Sequence, residues 1–377
     1  MHGSLRLDSS GIGTCASKDD RYKFIQVGRA LAALSVVIIH SQSVSEYVGI
    51  SQYRHGLWSF GQAGVDMFFV ISGFIISMVL DRPQSVSQFA ARRVLRIVPF
   101  YWFFTAAAVL VGVLQTLPLP TPARFVTSLL ILPQTNMPVL GVGWSLEHEI
   151  IFYVIAASLL ALRRAELLFI FMAALSIASV TVHLVAPHYV ENGRDLHLLS
   201  LYHLQFFVGV ALYKHRATIA RLRSKAALIS GLLLFPVTGA VLQLLYQSIV
   251  PAQPDGWMGI IRVSLWGLSS ALVLTGLLAW ENCRPTAYRT KLALAFAAIG
   301  DASYTLYLSH PITFALVGFC LKPIWPAGWP AVVAEVIAAS VAIGFALLFY
   351  RSCEKPLLAR LGGHFGGHRW KAECVRQ

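Results

Sequence analysis

The sequence predicts an all-α, polytopic membrane protein with about ten transmembrane helices. Three observations predict it. Apolar runs long enough to cross a bilayer recur through almost the whole chain of 377 residues. The chain is 56% hydrophobic and only 12% charged, about half the charged share of a soluble protein, and its mean hydropathy is +0.66. Its basic residues are distributed unevenly between alternate loops, as they are in proteins inserted with a fixed orientation.

The spans fall near 24–41, 61–80, 97–116, 145–162, 166–186, 199–214, 226–249, 260–280, 303–320 and 332–350. With the N-terminus in the cytoplasm, the cytoplasmic segments hold 24 Lys and Arg. The outer loops hold five, namely Arg54, Arg124, Arg194, Arg262 and Lys322, and Arg29 lies within the first span. This split predicts that both termini are cytoplasmic. It also accounts for the net charge of +13 without any nucleic-acid partner. One transmembrane domain, 23–350, lies between cytoplasmic tails at 1–22 and 351–377. The first twenty residues lack an apolar core, so they do not form a cleavable signal peptide and the first span serves as the insertion signal. The long outer loop 117–144 is proline-rich; its apolar stretch 125–132 is too short to span and reads equally as a re-entrant segment or a simple cover. The five cysteines are scattered and form no CxxC, so neither a metal site nor a disulfide is expected.

Several spans carry titratable residues. Arg29 and His40 stand eleven residues apart in the first, which is about 16 Å and about three turns, so both project from one helix face. Such residues usually face a bundle interior or a wet cavity. Asp66 lies about one turn into the second span. Arg92, Arg93 and Arg96 cluster at the cytoplasmic end of the third; they read either as topology signals or as forks for phosphate oxygens. Glu147, His148 and Glu149 open the fourth span, beside Trp144 and Tyr153, which suit an interfacial belt. His310 lies about 10 Å into the ninth, followed by Pro311. Each residue alone reads almost as well as a helix-packing or snorkelling group. Together they set cations on the inner side and His40, Asp66 and Glu149 in the outer half. That layout suits a phosphorylated donor from the cytoplasm and an uncharged acceptor met deeper in the membrane.

The ordered motifs resemble those of the membrane acyltransferase 3 family. Arg29 and His40 resemble its basic-x10-His pattern, and FGQAGVDMFFVISGF its Gly-Val-Asp-x-Phe-Phe-x-x-Ser-Gly-Phe signature. Arg93-x-x-Arg96 resembles its Arg-x-x-Arg loop, GVGWSLEHEIIFY a motif whose glutamate falls on Glu149, and SYTLYLSHP its Ser-Tyr-x-x-Tyr-Leu-x-His-Pro motif. The resemblance runs from about residue 23 to about 350 and is nearest to the branch that acetylates bacterial exopolysaccharides.

What the resemblance implies is an O-acyltransferase of the bacterial inner membrane. It would move an acetyl or other short acyl group from cytoplasmic acyl-CoA, acetyl-CoA above all, to a hydroxyl of an envelope or exported polysaccharide or its lipid-linked precursor. The coenzyme would bind Arg92, Arg93 and Arg96. Arg29 would steady either the coenzyme or the thioester oxygen. His40 would act as general base or carry the acyl group itself, oriented by Glu149 or Asp66. Trp144, Tyr153, Tyr304 and His310 would meet the carbohydrate acceptor. A glycan transporter explains the spans and buried charges as well, but gives no reason for three arginines at the cytoplasmic end of a helix beside a single inward histidine.

Overall fold

One helix is enclosed on all sides, and the others are arranged around it. The computed structural model describes residues 23–49, 57–190, 196–222, 224–246, 254–283 and 290–365; the N-terminal tail and residues 366–377 lie outside them. Among the described residues every regular element is helical, and nine helices are long and apolar enough to cross a membrane. The enclosed helix is α2 (Ala63–Leu80), the second in the chain after α1 (Phe24–Ser41). It is apolar nearly all round, which is the pattern of a buried span, and 78% of its apolar window is buried.

The third helix, α3 (Val86–Leu114), is 29 residues long. At about 1.5 Å per residue that exceeds a hydrocarbon core of about 30 Å. A reciprocal capping box between Ser85 and Gln88 starts it. The helix thus begins well before the predicted span boundary at 97, and Arg92, Arg93 and Arg96 lie on it, as their helix-face spacing implies. Next come α4 (Trp144–Ala161) and α5 (Leu168–Val185). The loop before α4 contains a short helix, Pro122–Leu129, capped by Thr121. Arg124 fastens this loop to itself through the carbonyls of Met137 and Pro138, and Trp102 ties it to α3 through the Leu129 carbonyl.

The predicted span 199–214 contains α6 (His203–Lys214), which has only 12 residues, about 18 Å of rise. The chain leading into it is irregular, with Leu196 and His197 at φ of 50° and 64°. Irregular backbone inside a membrane protein is tolerated where protein groups satisfy it. Two buried histidines do so. The Nε2–H of His203 donates to the carbonyls of His197 (3.2 Å) and Leu198 (3.0 Å), and the Nε2–H of His183 donates to that of Leu199 (3.3 Å). α6 lies against α2 with almost no side chain between them: a Cβ on Gly73 would stand 2.2 Å from the Phe206 carbonyl oxygen, and one on Gly209 would stand 2.0 Å from that of Val70.

The remaining helices are α7 (Ser224–Tyr246), α8 (Gly256–Cys283), α9 (Lys291–Asp301), α10 (Ser303–Leu321) and α11 (Ala331–Phe349). α7 pairs with α8, α9 lies along α1, and α10 packs between α1 and α11. The helical path continues past 350 through a π-helical turn, Tyr350–Glu354, into α12 (Lys355–Phe365). Residues 351–365, read from sequence as a tail, thus extend the helical body, and Glu354 is buried there against Thr305 of α10.

The α2–α6 contact predicts opposite outcomes for one exchange at two glycines. Gly73→Ala puts a methyl group into backbone and should lower the thermal midpoint of the detergent-purified protein, at a cost of about 1–3 kcal/mol. Gly344→Ala, in α11 with nothing within 4 Å, should leave it unchanged or raise it, since alanine favours helix by about 1 kcal/mol over glycine. Equal midpoints for the two variants would contradict the close packing.

Candidate active site

Five helices converge on an internal cavity of about 100 Å³. α1 contributes Arg29, α2 Phe68, Phe69 and Ser72, and α3 Arg93 and Arg96. α4 contributes Ser145, Glu149 and Tyr153, and α10 contributes Tyr304 and Tyr307. Three guanidinium groups and one carboxylate thus line one space. Arg29 and Arg93 are only 7% and 5% exposed, so they are charges held inside the protein and not solvated topology signals. The Arg93 guanidinium stands 5.7 Å from the Tyr153 ring and 5.9 Å from that of Phe89, within cation–π range. Glu149 accepts hydrogen bonds from Ser72 (2.7 Å) and from the Tyr153 hydroxyl. Arg92 lies outside the cavity lining, with Nη1 at 3.5 Å from the Gln84 side-chain oxygen. At the same end of α1, Asp301 lies outside the spanning segments; burial pushes its carboxyl up, against Arg29, Lys355 and Arg96, which hold it down.

His40 sits at the opposite end of α1 and is exposed, whereas His310 of α10 is fully buried. The two rings meet, with His310 Nε2 3.1 Å from His40 Nδ1. Carbonyl oxygens fix both tautomers, because a carbonyl only accepts. His310 Nδ1–H donates to Leu306 O (3.1 Å), which leaves its Nε2 as an acceptor. His40 Nδ1–H is shared between Val36 O (3.0 Å) and that acceptor. The Nε2 of a neutral His40 therefore carries a lone pair, which is the form a general base needs.

The structure separates residues that the sequence reading grouped. Glu149 lies among the arginines and not beside His40. Asp66, completely buried, accepts from Gln205 Nε2 (2.8 Å) and pairs with Arg262 Nη2 (3.4 Å). The carboxylate expected beside the imidazole is thus replaced by His310. Arg262, counted from sequence as an outer-loop charge, is a buried residue of α8 that also contacts the rings of Trp266 (4.6 Å) and Tyr202 (5.5 Å). Glu147 joins Gln134 of the loop before α4 (3.0 Å) to His197 (3.1 Å), and His148 stacks on His197 with centroids 4.3 Å apart. Trp144 packs against His148, Tyr202 and Phe69, outside the cavity lining. Tyr153 and Tyr304 line the cavity, and Tyr304 donates to the Ile97 carbonyl (2.9 Å). The sequence reading passed over Ser72, Ser145 and Tyr307. Tyr307 carried a usable signal, being three residues before His310 and so on its helix face.

Residues 22–351 match a family model described as an acyltransferase domain, so the chain belongs to the acyltransferase 3 family and is a membrane acyltransferase. Over 323 residues it is 30% identical to the exopolysaccharide production protein ExoZ of Rhizobium meliloti (strain 1021), a match that covers 80% of this chain and 91% of that protein. No solved structure matches the chain.

The Asp66–Arg262 pair predicts a double-mutant result. Asp66→Ala leaves a buried guanidinium without its carboxylate and should cost about 3–5 kcal/mol of stability. Adding Arg262→Met removes the stranded charge and should restore most of the loss. Thermal unfolding of the purified variants measures both; a double variant as unstable as the single one would contradict a structural role for the pair.

Proposed function

We propose that the protein is an O-acetyltransferase of the bacterial inner membrane. It takes an acetyl group from cytoplasmic acetyl-CoA and places it on a hydroxyl of an exported polysaccharide or its lipid-linked precursor. One observation carries this reading: an arginine-lined cavity and a histidine with a free lone pair lie along the same two helices, α1 and α10. The relative from Rhizobium meliloti, an exopolysaccharide production protein, supports a polysaccharide as acceptor. The excess of basic residues on one side of the membrane supports cytoplasmic termini and entry of the donor from that side.

In this mechanism Arg29, Arg93 and Arg96 take phosphate oxygens of the donor by charge-assisted hydrogen bonds. Glu149 sits among them, held by Ser72 and Tyr153, and keeps their mutual repulsion in check. The cavity volume of about 100 Å³ matches only about three waters, so the nucleotide of the donor lies at its cytoplasmic end and the cavity widens to admit the pantetheine arm toward His40. His40 Nε2 accepts the proton of the acceptor hydroxyl while its oxygen attacks the thioester carbonyl carbon. The carbon–sulfur bond then breaks, and the coenzyme leaves as a thiolate that takes the proton back from His40. His310 holds the His40 ring in the required tautomer.

The test uses protein reconstituted in liposomes with radiolabelled acetyl-CoA and a crude glycan acceptor. The wild type should transfer label, and His40→Ala should be slower by about 10²–10⁴-fold while still binding coenzyme A. Arg96→Ala should weaken that binding by about tenfold or more, the loss of a contact worth about 1.5–3 kcal/mol. A glycan transporter would move glycan and form no labelled product with either protein. Equal transfer by wild type and His40→Ala would remove His40 from the mechanism.

A further inference from the structure

The histidine pair lies beyond the lining of the arginine cavity. Neither His40 nor His310 lines the cavity. Its arginines lie toward the start of α1 and the first half of α3, whereas Val65 and Ser145, at the starts of α2 and α4, lie at the other end. At that end stand two aromatic rings, Phe68 and Tyr307, edge to face with centroids 5.9 Å apart. Both line the cavity, and the Tyr307 ring is also 6.0 Å from the His310 ring. Tyr307 is thus the wall shared by the cavity and the histidine pair.

The two rings are held differently. The Tyr307 hydroxyl donates to the Val142 carbonyl (3.0 Å) and lies 2.8 Å from Ser145 Oγ, so the ring is pinned to the start of α4. Phe68 packs through apolar contacts against three separate hydrophobic clusters. One contains Phe69 and Phe206, a second Met67 and Leu274, and a third Val37, Leu306 and Phe314. It fills the seam where they meet.

We propose that Phe68 and Tyr307 set the length of the acyl group, limiting the enzyme to acetyl-sized donors. This assignment rests on the donor and base proposed above. A donor whose phosphates are held by the arginines, and whose thioester carbonyl carbon is brought within reach of His40, passes its acyl end between these two rings. With Tyr307 fixed and Phe68 wedged among three clusters, the gap that opens between them stays narrow and admits a short acyl group more readily than a long one. One methylene in such a pocket is worth about 10–200-fold in selectivity.

The experiment compares acetyl-, propionyl- and butyryl-CoA as donors for the reconstituted full-length protein, with kcat/KM measured for each. The wild type should prefer acetyl to butyryl by at least about tenfold. Phe68→Leu, which shortens the wedge but keeps it apolar, should reduce that preference at least about fivefold, as part of the same packing term. Tyr307→Phe, which keeps the ring and frees it from Val142 and Ser145, should shift the preference the same way by a smaller factor. Retained coenzyme A binding shows that each variant is folded. A wild type that uses butyryl-CoA as well as acetyl-CoA, or acyl profiles in both variants identical to wild type, would overturn the assignment while leaving the acyltransferase reading intact. No transfer from any donor by the wild type would overturn that reading and this assignment together.

Discussion

A polar or charged group inside a bilayer-spanning bundle has no water to solvate it, so its partners must come from the protein. The interior of this molecule is arranged by that constraint. Asp66 has Gln205 and Arg262. Glu149 has Ser72 and Tyr153. The irregular chain before α6 has its carbonyls covered by His183 and His203. Asp66 joins α2 to α6 and α8, Ser72 joins α2 to α4, and together these contacts fix where the four helices stand. The small residues of α2 then let neighbouring backbones close around it.

The same constraint explains the signature segment of α2 residue by residue. Gly64 lies against the Ala32 carbonyl of α1, and Gly73 against that of Phe206. Asp66 anchors α8. Phe69 joins an aromatic group with Trp144, Tyr202 and Phe206. Phe68 and Ser72 face the cavity, where Ser72 supports Glu149. One short stretch therefore serves four other helices at once, α1, α4, α6 and α8, a pattern of constraint that a single apolar span does not have.

The helices were legible in the sequence because length and hydropathy suffice to define a span. What hydropathy does not report is where a charge within a helix points. Arg93 and Arg96 read as the end of a span because arginine lowers hydropathy, although α3 runs through them. Arg262 read as a loop charge although its partner Asp66 was in plain view; pairing across 196 residues has no local signature. Arg29 and His40 were found as one face of one helix because helical spacing is fixed. The meeting of His40 with His310, 270 positions away, depends on how α1 and α10 pack. The separation of Glu149 from His40 has the same cause.

The central claim is that the arginine cavity and the His40–His310 pair form one path for one donor. A cryo-electron microscopy structure with a non-hydrolysable acetyl-CoA analogue tests it directly. The account predicts phosphate oxygens on Arg29, Arg93 or Arg96, the Phe68 ring displaced, and the acyl carbon within reach of His40 Nε2. An analogue bound with its acyl end directed away from His40, or with its phosphates on other residues, would contradict it.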